Sequence, residues 1–136
     1  MIPFNKPFLV GKEIKYIEES VLSGKISGNG LFTKKCQTFF EEKFGFKKAL
    51  LTTSCTDALE MTAMLMDIKP GDEVIVPCVS WSTTYFPLQQ YGLKLKFVDI
   101  DINTLNYDLK QLEAAISPKT KLIVAVNLLG NPNDFS

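Results

Sequence analysis

The sequence predicts an α/β fold: a partial, mainly parallel sheet with helices on both faces. Segments with apolar residues at helical spacing alternate with runs that are almost continuously apolar, such as EVIVP and KLIVAV. Continuous apolar runs suit strands buried on both faces. Helices of about ten residues between them suit the crossovers that join parallel neighbours.

Taken in order, an extended arm holding Pro3 and Pro7 leads into an amphipathic helix over Lys12–Leu22, with Ile14, Ile17, Val21 and Leu22 on one stripe and Ser23-Gly24 as its stop. The next eight residues, SGKISGNG, hold three glycines and two serines and read as a loop. From Leu31 or Phe32, the residues Cys36, Phe39, Phe40 and Phe44 recur at three-to-four spacing up to Gly45, which predicts a second helix with an aromatic face turned to the core. ALLTT then predicts a strand, Cys55-Thr56-Asp57 a tight turn, and Ala58 to Leu65 a helix. Lys69 to Asp72 is a turn, and Glu73–Pro77 a buried strand that ends on a proline unable to donate to a ladder. Ser82 to Tyr91 reads as a helix shortened or kinked by Pro87 and closed by Gly92. Lys94 to Ile100 is a third strand. Asp108 caps a helix carrying Leu109, Leu112 and Ile116, with Gln111 at the capping-box position, and a fourth strand starts at Lys121.

The 136 residues are 46% apolar and 22% charged, as in one soluble domain, and no segment reads as a linker, repeat or low-complexity tract. Fifteen acidic residues balance fifteen basic ones, all of them lysine, since arginine and histidine are absent. A balanced chain without arginine is a poor nucleic-acid binder. Without histidine, neither a Ser-His-Asp nor a Cys-His pair can form, so catalysis would rest on lysine, carboxylate, thiol, hydroxyl or a cofactor. Cys36, Cys55 and Cys78 are odd in number and form no C-x-x-C pair, which predicts free thiols in a reducing compartment and no structural zinc. The amino terminus lacks the apolar core of a signal peptide and no run is long enough to span a bilayer, so a cytoplasmic protein is expected.

In open α/β sheets ligands gather at the carboxyl ends of strands, which here are TTSCT, PCVSW, DIDINT and NLLGNPN. In TTSCT the first amides of the following helix, Cys55 and Thr56, could receive an anion, although Ser54 or Thr56 acting only as a helix cap explains the same spacing. Trp81 could stack on a planar ligand or cover the sheet edge. Asp99, Asp101 and Asp108 lack the calcium-loop pattern, and no metal site is expected. No phosphate-loop or dinucleotide-binding glycine motif is present.

At these motifs the chain resembles the pyridoxal-phosphate-dependent nucleotide-sugar aminotransferases of the DegT/StrS type. IPFNKPFLVGKEI, SGKISGNGLFTKKCQTFFEEKFG, LLTTSCTDALEM, IKPGDEVIVP, FVDIDINTLNYD and LEAAISPKTKLIVAVNLLGNPNDF match family blocks in order, so the likeness covers the whole chain. The resemblance implies the amino-terminal part of the large domain of a fold-type I enzyme. It reads as one incomplete domain over 1–136, with arm and helices over 1–46 and the start of the cofactor-binding sheet over 47–136. The implied cofactor is pyridoxal 5'-phosphate or its pyridoxamine form. Cys55 and Thr56 would hold its phosphate, Ser54 would shape that turn, and Trp81 would stack on its ring. Asn29 and Asn127 would border the nucleotide-sugar pocket.

The aspartate that pairs with the pyridine nitrogen and the lysine that carries the cofactor are expected beyond Ser136, so this chain alone is expected to be inactive. Up to about Pro77 the motifs are most similar to aminotransferases acting on 4-keto-6-deoxy nucleotide-sugars in surface polysaccharide synthesis, which is the first expectation. From VSWSTTYF onward they are more similar to the 3-dehydratase branch, where histidine replaces that lysine. A third expectation is an inactive fragment with a binding or assembly role. Homodimers with active sites at the interface are what the resemblance implies for the complete enzyme.

Overall fold

The computed structural model describes residues 1–3 and 5–134, and its elements fall into two units, Met1–Leu51 and Thr52–Ser136. Among the described residues no helix is long and apolar enough to cross a membrane.

The first unit holds α1 (Glu13–Leu22) and α2 (Leu31–Phe44). The Glu13 carboxylate accepts from the Val10 N–H at 2.7 Å, satisfying a donor ahead of the helix and sitting at its positive end. α2 stops at Gly45, whose φ of 69° is left-handed and costs glycine no Cβ clash. The predicted core role of the α2 stripe is not what forms. Phe39, Phe40 and Phe44 are 51%, 38% and 54% exposed, and neither helix holds a buried residue. The rings pack on one another instead: Phe40 stacks on Phe44 at 5.7 Å and Phe44 on Phe46 at 5.8 Å. An amphipathic stripe buries only when an opposing apolar face meets it, and spacing alone does not supply that face.

The ALLTT strand does not form either. A strand exists only as half of a ladder, and this run pairs with no strand among the described residues. The Ala49 N–H donates instead to the Glu41 carboxylate at 3.0 Å, and the Lys48 ammonium meets the same oxygen at 3.0 Å. The sheet therefore has three strands where the sequence suggests four.

The second unit contains α3 (Cys55–Leu65), β1 (Glu73–Pro77), α4 (Phe86–Gln90), β2 (Lys94–Val98), α5 (Leu109–Ala115) and β3 (Thr120–Ile123). The strand order is β2-β1-β3, all parallel, as predicted. Register runs from Glu73 opposite Lys94 to Pro77 opposite Val98 on one side, and pairs Val74 with Leu122 and Ile75 with Ile123 on the other. Because side chains alternate across a strand, Val74 and Val76 face one cluster with Ala63, Leu88 and Leu93. Ile75 faces the opposite one with Val98 and Tyr107, backed by Leu112 and Ala115. Helices thus cover both faces. Val74, Ile75 and Val76 are fully buried, each contributing roughly 1.5–3 kcal/mol.

Local chemistry fixes the ends. A Cβ on Gly92 would lie 3.1 Å from the Pro70 side chain, and its φ of 80° is left-handed, so only glycine suits the turn that feeds β2. Pro87 sits in the first turn of α4, where a missing N–H costs nothing, and the predicted helix divides there into a 3-10 turn at Ser82–Thr84 and the short α4. Asp108 caps α5 by accepting from the Lys110 and Gln111 N–H groups at 3.0 and 3.1 Å. Its own N–H is taken by the Asp99 carbonyl, so the Gln111 side chain donates to the Asp108 carboxylate instead of closing the usual box. β3 is shorter than its apolar run. After Ile123 the chain keeps one ladder bond, Val124 N–H to Ile75 carbonyl at 2.9 Å, and the buried Tyr107 hydroxyl donates to the Val124 carbonyl at 2.7 Å.

Candidate functional site at the carboxyl edge of the sheet

α3 leads into β1, so it runs back along the sheet against the strand direction. Eleven helical residues and five strand residues each span about 16 Å, so α3 is long enough to run the length of β1. α3 packs against the 3-10 turn and α4, the two elements that follow Trp81. The carboxyl ends of the three strands lead into Asp99 after β2, Cys78 to Trp81 after β1, and Asn127 beyond β3.

At the start of α3, Ser54 is the N-cap: its hydroxyl accepts from the Asp57 N–H at 3.1 Å and its carbonyl from the Ala58 N–H at 3.2 Å. The Thr52 hydroxyl donates to the same carbonyl at 2.7 Å. Among the described residues the N–H groups of Cys55 and Thr56 have no protein acceptor. Two adjacent backbone donors at the positive end of an eleven-residue helix therefore remain available to an anion. Asp57 brings a negative charge into the same turn, where the Thr53 hydroxyl donates to its carboxylate. That bond first, then those from Ser54, holds the Asp57 carboxyl below the ordinary range, so it stays ionised.

Trp81 stands at the N-cap of the 3-10 turn and is 77% exposed, so it is not a core residue. Cys78 donates its thiol to the Asp99 carboxylate at 3.0 Å. That bond raises the thiol's pKa and lowers the acid's, which keeps Cys78 protonated and unsuited to nucleophilic attack.

Asn127 is exposed where the chain leaves β3, and its amide orientation is fixed. The Asn133 backbone N–H, which can only donate, lies 3.1 Å from Asn127 Oδ1, and Asn133 Nδ2 lies 2.9 Å from the same oxygen. Asn127 therefore presents its NH2 outward as a donor. Beside Asn133, a cavity of about 560 Å³ opens between the loops around Asp101–Asp108 and Asn131–Asp134. The first loop is tied to the second by Asn106 Nδ2 donating to the Pro132 carbonyl at 2.7 Å and Asn131 donating to the Thr104 carbonyl. Among the described residues no cluster of three or more cysteine, aspartate or glutamate side chains could hold a metal ion.

Trp81 thus follows β1 and Asn127 follows β3 on the carboxyl side of the sheet, and α3, which Ser54, Cys55 and Thr56 open, packs against the turn that Trp81 caps. Asn29 belongs to the first unit. Its φ of 58° is left-handed, and it lines a groove of about 610 Å³ with Thr33, Lys34, Gln37 and Lys48. Sequence reasoning missed Asn133, which orients Asn127, and Thr84, which closes the turn holding Trp81. The spacing of Ser80 and Thr84, one helical turn apart in hydroxyl residues beside the tryptophan, was a signal for the latter.

The same architecture recurs in known proteins. The chain is 52% identical over 123 residues to a GDP-4-keto-6-deoxy-D-mannose 3-dehydratase of Escherichia coli O55:H7, covering 86% of this chain and 32% of that protein. It superposes on the solved Escherichia coli GDP-4-keto-6-deoxy-D-mannose-3-dehydratase with bound hydrated pyridoxal phosphate, at TM-score 0.89 and 47% identity, over 98% of this chain and 36% of the other. An aminotransferase from Psychrobacter cryohalolentis superposes at TM-score 0.86 and 30% identity, over 96% of this chain and 33% of that one. The chain spans about a third of the length of these relatives. With residues 8–136 matching the family as a whole, and the ordered blocks of the sequence laid onto this sheet, the chain belongs to the DegT/DnrJ/EryC1/StrS aminotransferase family.

Proposed function

We propose that the chain provides part of the cofactor site of a pyridoxal-phosphate-dependent enzyme acting on a 4-keto-6-deoxy nucleotide-sugar, of the kind that removes the sugar's 3-hydroxyl. The observation that carries the cofactor assignment is the pairing, at one sheet edge, of two unpaired helix-start amides with an exposed indole. The residues present suit that cofactor at both of its ends. Cys55 and Thr56 would donate N–H bonds to its phosphate, joined by the Thr56 hydroxyl, while Ser54 holds the first turn of α3 in shape. Trp81 would cover one face of its ring and keep water from it. Bound there, pyridoxal phosphate supplies an electron sink for bond breaking next to the sugar's carbonyl carbon. Asn127, held donor-outward by Asn133, would bond an acceptor oxygen of the sugar or its phosphates; for Asn29 a nucleotide-sugar contact rests on the resemblance of its glycine-rich loop alone.

Identity favours the dehydratase over the aminotransferase that the sequence analysis placed first: 47% to the solved dehydratase against 33% and 30% to solved aminotransferases. The aminotransferase stays the second reading because the motifs up to Pro77 are most similar to that branch and the Psychrobacter structure superposes closely. The full product of the coding frame should be incubated with GDP-4-keto-6-deoxymannose and glutamate, and the sugar product examined by NMR. A 3-deoxy sugar is expected. A 4-amino sugar that keeps its 3-hydroxyl would overturn the first reading in favour of the second, and an unchanged substrate would overturn both. The reading includes a cytoplasmic homodimer, whose mass light scattering would give.

A further inference from the structure

Trp81 stands on an irregular turn, yet that turn is tied across its length. The Thr84 N–H donates to the Trp81 carbonyl at 2.9 Å, and the Tyr85 N–H to the Ser82 carbonyl at 3.3 Å. Thr84 Oγ1 lies 2.8 Å from Ser80 Oγ, a hydroxyl pair that brackets the tryptophan from the residue before it to the third residue after it. Thr84, like Tyr107 alone among the other described hydroxyl residues, is buried. Its neighbours in the 3-10 turn pack against α3, the helix that begins with the two unpaired amides. The hydroxyl pair is partly buried, and Ser80 is the side chain that meets the Thr84 hydroxyl.

We infer that Thr84 is a positioning residue for Trp81: its hydroxyl, paired with Ser80, holds the 80–84 turn so that the indole is presented ready-ordered at the carboxyl edge of β1. The inference rests on the reading of Trp81 as the surface that meets the cofactor ring. An exposed aromatic on a loose turn must be ordered when a ligand docks, and a turn fixed in advance removes that cost. Neither residue touches the ligand; both act through Trp81.

Trp81 is the only tryptophan, so its fluorescence reports on this turn alone. The test measures indole anisotropy in the 136-residue chain, and quenching by pyridoxamine 5'-phosphate, which cannot condense with lysine amines as the aldehyde does. Thr84→Val keeps the side chain's shape and removes the hydroxyl, whereas Thr84→Ser keeps the hydroxyl. Thr84→Val is expected to lower the anisotropy and weaken pyridoxamine phosphate binding by about fivefold, as loss of one hydrogen bond implies. Thr84→Ser is expected to match the wild type. Ser80→Ala removes the same bond from the other side and should reproduce Thr84→Val, which keeps the test alive if the valine variant does not fold. A purely structural role would lower the unfolding midpoint and leave the anisotropy well below that midpoint unchanged. That result, or a serine variant as loose as the valine one, overturns the inference. If pyridoxamine phosphate fails to quench the wild-type chain, the cofactor reading of Trp81 falls. If quenching persists in a chain whose clamp variants behave as wild type, only the role of Thr84 falls.

Discussion

Ser54 joins the fold to the ligand chemistry at the scale of a single residue. Its hydroxyl takes the Asp57 N–H and so leaves the two preceding amides as the ones without a partner. Ser54→Ala should cost about 1 kcal/mol of stability, and Ser54→Asn much less, because asparagine caps equally well; urea unfolding followed by circular dichroism checks both. Asp108 makes a second residue-level prediction. The Gln111 backbone N–H, then the Gln111 side chain, hold its carboxyl below the ordinary 3.8, so the folded state prefers the ionised acid. The cap's contribution is therefore complete above the ordinary value and is lost as pH falls through the lower folded one. Asp108→Asn, which keeps a capping oxygen that does not titrate, should flatten the loss of thermal stability below about pH 4. The other carboxylates held low, such as Glu73 and Asp57, keep their share of the slope. The Asp108 cap was legible in the sequence because a cap reads its own next three residues. Ser54 shared that reading with Thr56, and the tight turn expected at Cys55-Thr56-Asp57 forms the first turn of α3. The Asn133 bond to Asn127 was not legible, since it joins residues six apart through a loop whose course no local rule fixes.

At the scale of elements, the sheet hangs on β1. Its Ile75 carbonyl receives the last ladder bond of β3, and Tyr107 closes the same point from the far face by donating to the Val124 carbonyl. Tyr107→Phe should cost about 1–2 kcal/mol, because it strands a partly buried carbonyl, while the buried ring still fills its place; the urea midpoint should fall with no change in the folded spectrum. Leu88→Ala, in the opposite cluster against Val74 and Val76, should cost roughly 2–5 kcal/mol by opening a cavity. β1 was legible to the residue, as a short apolar run with a turn before it and a proline at its end. ALLTT has a similar composition but among the described residues no ladder partner, and the aromatic stripe of α2 has the right period but holds no buried residue. Both misses share one cause: pattern states which side of an element is apolar, whereas burial depends on what lies across from it.

At the scale of the whole molecule, the class and the family were both readable, the first from alternation of period and the second from blocks in a fixed order along the chain. The branch of chemistry was less legible: the motifs up to about Pro77 resemble the aminotransferases and put that branch first, whereas the relatives at 52% and 51% identity are 3-dehydratases. We propose that the carboxyl edge of this three-stranded sheet recognises a phosphorylated pyridine through Cys55, Thr56 and Trp81. It is tested most directly by titrating the isotope-labelled chain with pyridoxamine 5'-phosphate and following its amide and indole NMR signals. The account predicts saturating shifts centred on the Cys55 and Thr56 amides and the Trp81 indole, with unphosphorylated pyridoxamine losing the amide shifts. Shifts spread over the lysine-rich surface, or an equal response to both compounds, would contradict it.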